Sequence, residues 1–459
     1  MNFDDLLNKQ HLFFDTQSTK DLKFRKQQLK KLKQLLIANE SKLNEAVYKD
    51  FKRSSKENLV LELYPMYKTI KTILRKLDRW TKSTKVSTNI LNIPAKSYIK
   101  KEPLGSVLVI GAWNYPIQLS LLPAIYAISA GNTVIIKPSE IPSHTSKVIT
   151  ELINSNFDEG FLKVVEGGIP ETTALLNLKF DKVFFTGSTV VGKIVYQAAA
   201  RNLTDVTLEL GGKSPAIFTK DANLKMGVKR LVWSKYLNAG QTCLAPDYVL
   251  VDESIKERFL ELVYKEIEQH NYSIHNENYV QIIDNKNFKR LEGLIDKDKV
   301  SFGGETDENE RLIYPTVMTD ITLEDKIMSE EIFGPILPVL SFNNLDEALH
   351  VVKQFEKPLS LYLHTKKRNI KRKILNEISF GGGCVNESVM HYTNSELPFG
   401  GVGHSGIGSY HGKFGFDTFS HQKAIMDKPS WFELNLKYYK RTTTKVKLIK
   451  ALILSMFRY

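Results

Sequence analysis

The chain has 459 residues, 42% hydrophobic and 25% charged, which excludes a globally disordered protein and leaves enough length for more than one packed core. Its only two cysteines, Cys243 and Cys384, are too few for a disulfide scaffold, and Met1-Asn2-Phe3-Asp4-Asp5 lacks the basic and apolar regions of a secretory signal, so a reducing, cytoplasmic setting is expected. The net charge of +13 would suit an anionic partner, but no basic-aromatic module of the kind that reads bases is evident and nucleic acid is not expected.

In chain order, Leu22, Leu29, Leu32 and Leu36 fall on one helical stripe, and long helical patterns run from Lys20 to about Trp80, broken near Arg53-Ser54-Ser55 and punctuated by Pro65. The basic residues here, among them Lys20, Lys23, Arg25, Lys26 and Lys30, read as a solvated helix face. From Val107 onward, strands expected at Thr133–Lys137, Lys163–Glu166 and Val183–Thr186 alternate with helices at Leu121–Ala130, Ser143–Ile153, Glu171–Leu176 and Val190–Arg201. That alternation predicts an α/β fold, a parallel sheet with crossover helices. A second α/β region follows Gly211, and without a repeat or a long Pro/Ser-rich linker the domains are expected to abut. At the end, Val446, Ile449, Ile453, Met456 and Phe457 share a helical face near Lys447, Lys450 and Arg458. The apolar run is shorter than the ~20 residues a spanning helix needs. The tail reads equally as an interfacial helix on an anionic membrane or as a segment docked on a partner subunit.

Two segments carry chemistry. Thr207-Leu208-Glu209-Leu210-Gly211-Gly212-Lys213 and Asn238-Ala239-Gly240-Gln241-Thr242-Cys243 supply the carboxylate and the thiol that thiol-based aldehyde oxidation needs: a thiolate nucleophile, then a base for the water that clears the thioester. In isolation, a cysteine is more often a small buried hydrophobe and a carboxylate beside glycines a loop charge. Asn114, just past the strand Val107–Gly111, either serves the turn or gives its amide to an oxyanion beside the backbone N–H of Cys243. Phe185 to Gly192 gives a strand, a glycine turn and a helix start, where a pyrophosphate can meet free N–H groups, which marks Gly187, Ser188 and Gly192. The literal G-x-G-x-x-G, Gly401-Val402-Gly403-His404-Ser405-Gly406, follows no strand and reads as a decoy.

These segments, together with Trp113-Asn114-Tyr115-Pro116, Lys137-Pro138-Ser139-Glu140, Phe185-Thr186-Gly187-Ser188, Glu331-Ile332-Phe333-Gly334-Pro335 and Pro398-Phe399-Gly400-Gly401, resemble the aldehyde dehydrogenase superfamily in sequence and in order, from about Arg25 to about His421. Ser409-Tyr410-His411-Gly412-Lys413 and Phe419-Ser420-His421 are most similar to its class 3, fatty-aldehyde branch. The resemblance implies a Rossmann-like cofactor domain (1–81 and 103–210), an α/β catalytic domain (211–405), a small β bridging and oligomerisation element (82–102 and 406–430) and the basic tail (431–459). It implies Cys243 as nucleophile, Glu209 as base, Asn114 as oxyanion donor, Lys137 and Glu140 at the adenosine ribose, and Glu331 and Phe333 at the nicotinamide end of NAD or NADP. Tyr115 and Trp233 match positions lining the aldehyde channel, although either is equally an ordinary packing residue, as are Met390 and His391; Cys384 reads as structural and no metal ligand is assigned.

The expected activity is NAD(P)-dependent oxidation of an apolar, medium- or long-chain aldehyde, fatty or polyene, in a cytoplasmic homodimer whose tail makes either a peripheral membrane contact or a subunit contact. The rivals are a coenzyme A-acylating dehydrogenase, against which Glu209 counts, and a non-catalytic membrane-associated protein that keeps the fold. One departure stands out: Lys52 occupies a position where relatives usually carry Gly or Asn, which puts the turn at Asp50-Phe51-Lys52-Arg53-Ser54 in question.

Overall fold

Strands that must lie between two layers of helices have no solvated face, and every residue of Ser106–Ile110 and Thr133–Lys137 is buried. The computed structural model, which describes residues 2–433, 438 and 443–456, sets them in a six-stranded sheet. Its order is Gly406–Ile407, Asp205–Glu209, Lys182–Thr186, Ser106–Ile110, Thr133–Lys137 and Leu162–Val164, all neighbours parallel except the antiparallel Gly406–Ile407. The chain winds outward from Ser106–Ile110 on one side and returns to wind outward on the other. Ligands in such sheets bind beyond the carboxyl ends of the strands at this switch point, here past Ile110, Thr186 and Glu209.

The connecting helices are Pro116–Ala130, Ser143–Asn154, Ile169–Leu176 and Thr189–Arg201, each within a few residues of its expected span. The first begins early because Pro116 sits in the first turn, where its missing N–H costs nothing. A seven-stranded sheet follows, ordered Val300–Phe302, Thr316–Met318, Ile336–Phe342, Tyr248–Asp252, Pro215–Phe218, Ser360–His364 and Gly382–Val385, parallel but for the antiparallel first pair.

Two expectations need correction. Arg25 is not on a solvated face: it is buried and donates to the carbonyls of Thr19 at 2.6 Å and Ser129 at 3.2 Å, the latter an orphan acceptor at the end of helix Pro116–Ala130. Pro65 does not interrupt its helix. Ser55–Asn58 widens into a π-helical turn, Leu59–Leu63, that runs on into Tyr64–Thr81. Two compact units are distinguished, and the segment from 406 to 420 belongs to the larger, where Gly406–Ile407 extends the six-stranded sheet beside Glu209.

That larger unit comprises the residues up to Trp80 and Pro103–Ser420. The smaller comprises Thr81–Glu102 and the residues from His421. Thr84–Val86 pairs antiparallel with Lys96–Pro103, and Ser420–Asp427 completes a three-stranded sheet. In the tail, Thr443–Met456 is helical and Val446 is exposed, while Phe457 and the side chains of Ile449, Ile453 and Met456 lie outside the described residues. Among the described residues, no helix is long and apolar enough to cross a membrane.

Candidate active site

The segment ahead of Cys243 has a costly backbone. Asn238, Ala239 and Gly240 take φ of 54°, 50° and 71°, three left-handed residues in succession, two of them with a Cβ. Buried hydrogen bonds hold this turn. Asn238 Nδ2 donates to the carbonyls of Gln241 at 3.0 Å and Asn114 at 3.2 Å. Gln241 Nε2 donates to the carbonyls of Asn238 and Gln281, both at 3.1 Å, and its Oε1 accepts from Ile283 N at 3.0 Å. Asn114 itself is buried, and its Nδ2 donates to the Gln241 carbonyl at 3.1 Å, while the hydroxyls of Tyr115 and Thr242 lie 2.6 Å apart. Asn114 and Cys243, far apart in sequence, are thus brought together.

Glu209 ends its strand buried, 4% exposed, and neither carboxylate oxygen has a protein partner. Burial holds this carboxyl well above the usual range. The Cys243 thiol is pushed up to about 12, first by burial and then by the charges of Glu331 and Glu209, with the N–H groups of Cys243 and Leu244 acting in the opposite direction. Glu331 is raised to about 8 by burial and by Asp247, against the Gly212 N–H, Lys213 and Arg290.

Asn114, Glu209 and Cys243 border one cavity of about 1110 Å³. Gly187, Ser188, Lys137 and Glu140 border it too, as do Tyr115, Trp233, Glu331 and Phe333. Lys137 is buried, its Nζ donating to the Pro138 carbonyl at 2.6 Å and lying 3.8 Å from Glu140 Oε2; burial lowers its pKa. Phe333 takes φ of 52° and turns its ring edge-on to Trp113, with centroids 5.2 Å apart. Gly192 does not border the cavity. A Cβ there would lie 2.6 Å from Leu210 Cδ2, so this glycine serves close helix-to-strand packing. The G-x-G-x-x-G segment is a turn and edge strand: Gly403 bridges Gly406, and the next helix is Gly412–Thr418. Cys384, on Gly382–Val385, has its Sγ 3.5 Å from His391 Nδ1 and does not border the cavity, nor does His391, whereas Met390 does.

Two sets of buried partners escaped the sequence. Lys213 pairs with Asp247 at 2.6 Å and donates to the Glu330 carbonyl at 2.8 Å, while Asp247 accepts from Ile332 N at 2.8 Å, pinning the loop that carries Glu331 and Phe333. Arg53, fully buried, contacts Asn114 and Asn238. Nothing in the spacing of either set distinguishes it from ordinary polar residues.

Residues 3–425 match the model described as the aldehyde dehydrogenase family. The chain belongs to that family. It is similar to 4,4'-diaponeurosporen-aldehyde dehydrogenase of Staphylococcus aureus, 48% identical over 96% of each chain, and to aldehyde dehydrogenase family 3 member A2 of Mus musculus, 41% identical over 97% of this chain and 93% of that one. Among solved structures, the substrate-bound state of Staphylococcus aureus AldH superposes with a TM-score of 0.96 at 46% identity, covering 99% of this chain and 100% of that one. A structure of PnpE in complex with nicotinamide adenine dinucleotide superposes with a TM-score of 0.81 at 25% identity, over 92% of this chain and 88% of that one. As an aldehyde dehydrogenase, the protein is an enzyme with the mixed α/β, Rossmann-like fold and the NAD or NADP use of its family.

Proposed function

We propose that this aldehyde dehydrogenase oxidises an apolar, medium- or long-chain aldehyde, fatty or polyene, to the carboxylic acid through a thioester on Cys243. The observation that carries this reading is a single cavity joining the thiol to a buried carboxylate with both oxygens unpaired, bordered also by aromatic and apolar side chains such as Tyr115, Leu119, Trp233 and Met390. The name of one relative, 4,4'-diaponeurosporen-aldehyde dehydrogenase, agrees with it.

The residues present suit a dinucleotide. Ser188 caps helix Thr189–Arg201, whose first N–H groups have no intrahelical partners, and Gly187, Ser188 and the buried Lys137 border the same cavity. Residues 1–81 and 103–210 would form the cofactor half and 211–405 the catalytic half, with Glu140 and Lys137 on the adenosine ribose and Glu331 and Phe333 at the nicotinamide. When bound beside Cys243, NAD(P)⁺ supplies a positive charge and accepts the hydride.

The chain's own groups do the rest. The Cys243 thiol releases its proton to solvent and the thiolate attacks the aldehyde carbon, forming an S–C bond as the carbonyl π pair moves to oxygen, while the Asn114 amide and the Cys243 N–H donate to the oxyanion. The Asn114 Nδ2 carries two hydrogens, so its bond to the Gln241 carbonyl leaves one for the oxyanion. After hydride loss the carbon is a thioester. Glu209 takes a proton from water, the hydroxide adds, and the C–S bond breaks to release the acid and restore the thiol.

The test is reduced-cofactor formation from an aldehyde chain-length series with NAD⁺ and NADP⁺, with and without coenzyme A, for wild type and Cys243→Ala. Turnover that rises with chain length and vanishes in the variant supports the reading; turnover only with coenzyme A would replace it with the acylating one. We further place the protein in the cytoplasm as a homodimer through 82–102 and the strand Ser420–Asp427, with the tail on anionic lipid or on the partner subunit. Light scattering, and sedimentation with anionic vesicles before and after removal of 431–459, separate these.

A further inference from the structure

A fully buried guanidinium joins three segments that meet nowhere else in sequence. Arg53 Nη1 donates to Glu62 Oε1 at 2.6 Å, and Nη2 donates to the Asn114 carbonyl at 2.8 Å and to Asn238 Oδ1 at 2.6 Å. The rings of Phe51 and Tyr115 flank it, 4.6 and 5.1 Å from the guanidinium carbon. Glu62 spends its other oxygen on Ile117 N at 2.8 Å and Gln118 N at 2.9 Å, in the first turn of helix Pro116–Ala130, so the ion pair is anchored on the helix that starts just after Asn114.

The arrangement locks two things to each other. The Asn114 carbonyl accepts from both Arg53 and Asn238, which fixes the peptide from which the Asn114 side chain leaves. The Asn238 carboxamide, held at its oxygen by Arg53 and at its nitrogen by two carbonyls, fixes the left-handed turn that leads to Cys243. A planar fork can serve three acceptors at once; a lysine, as a point charge, cannot keep that geometry.

We propose that Arg53, oriented by Glu62, is a positioning residue that acts through Asn114, holding its amide in register with the Cys243 loop for attack on the aldehyde. This rests on the reading of Asn114 as oxyanion donor and Cys243 as nucleophile given above. A residue needed only for folding would change how much protein is native, not the rate at each native site. A residue that works through Asn114 must lose its influence once the Asn114 amide is gone.

The experiment is a double-mutant cycle on full-length enzyme: Arg53→Lys, Asn114→Ala and the pair, with kcat/KM for one aldehyde expressed per native site, sites being counted by NAD⁺ titration of intrinsic fluorescence. Loss of the Asn114 donor is expected to cost about 100- to 1000-fold, Arg53→Lys about 30-fold, and the double variant to stay within about threefold of Asn114→Ala alone. If the two losses multiply, or if Arg53→Lys turns over at the wild-type rate per site, the proposal falls. Asn114→Ala at the wild-type rate would instead overturn the reading of Asn114 beneath it. Should Arg53→Lys not fold, Glu62→Gln runs the same cycle with the same expected non-additivity.

Discussion

A Cβ on Gly240 would stand 2.2 Å from the carbonyl oxygen of Gly334, so the two backbones meet with no room for a side chain between them. Through this contact the turn before Cys243 and the loop carrying Glu331 and Phe333 share one wall. Gly240 also has φ of 71°, where a Cβ costs about 1–2 kcal/mol on conformation alone. Gly240→Ala therefore meets both a left-handed penalty and a backbone clash that no rotamer relieves. Denaturant titration is expected to show a loss of at least about 2 kcal/mol. An unchanged midpoint would mean that the two loops separate freely.

Glu209 carries a stability cost that its proposed role requires. Burial raises its folded-state pKa, so as pH climbs past the unfolded carboxyl's range the unfolded chain releases a proton that the folded chain keeps, and stability falls. Glutamine does not titrate. The melting temperature of Glu209→Gln minus that of wild type is therefore expected to widen from pH 5 to pH 8, while thioester hydrolysis drops by about 100-fold or more. A difference that is flat with pH would show that water reaches and solvates the carboxylate in the folded enzyme.

Cys243 should be a slow nucleophile when the enzyme is alone. With its pKa pushed up to about 12, carbamidomethylation by iodoacetamide is expected to keep rising through pH 10 without a plateau, followed by mass spectrometry of the Cys243 peptide so that Cys384 does not interfere. Glu331 disfavours the thiolate only when ionised, and its own pKa is about 8. Glu331→Gln should accordingly speed alkylation several-fold at pH 9 and leave it unchanged near pH 6.5. Equal acceleration at both values would assign the effect to a shifted loop rather than to charge.

What the sequence could reveal follows from what is local. The strand–helix alternation after Val107 is a periodic signal over many residues, and helices such as Ser143–Asn154 fall almost where expected. Motif glycines and the Cys243 and Glu209 segments are local too. Arg53 and Lys213 are not: each is defined by acceptors more than sixty and more than thirty residues away, Asn114 for one and Asp247 for the other, and a lone basic residue gives no sign of that. Arg25 misled for the same reason, since its acceptor on Ser129 belongs to another helix and its neighbours in sequence are lysines. The edge strand Gly406–Ile407 was not legible either, because two residues leave no periodic trace.

Lys52 completes the turn that its residue type put in question, and the cost should be measurable. It takes φ of 58° as the left-handed cap of helix Glu40–Phe51, its N–H donating to the Tyr48 carbonyl at 2.8 Å, so the turn forms without the favoured Gly or Asn. Its ammonium lies 5.0 Å from the centre of the Tyr48 ring, a contact worth about 0.5 kcal/mol at an exposed site. Lys52→Gly removes the left-handed strain and that contact together, for a net gain of about 0.5 kcal/mol. Lys52→Ala keeps the strain and loses the contact, for a loss of about the same size. Opposite shifts of the two variants in denaturant midpoint, with aldehyde turnover unchanged in both, are the expected outcome. A loss in both would mean that the ring contact outweighs the backbone term.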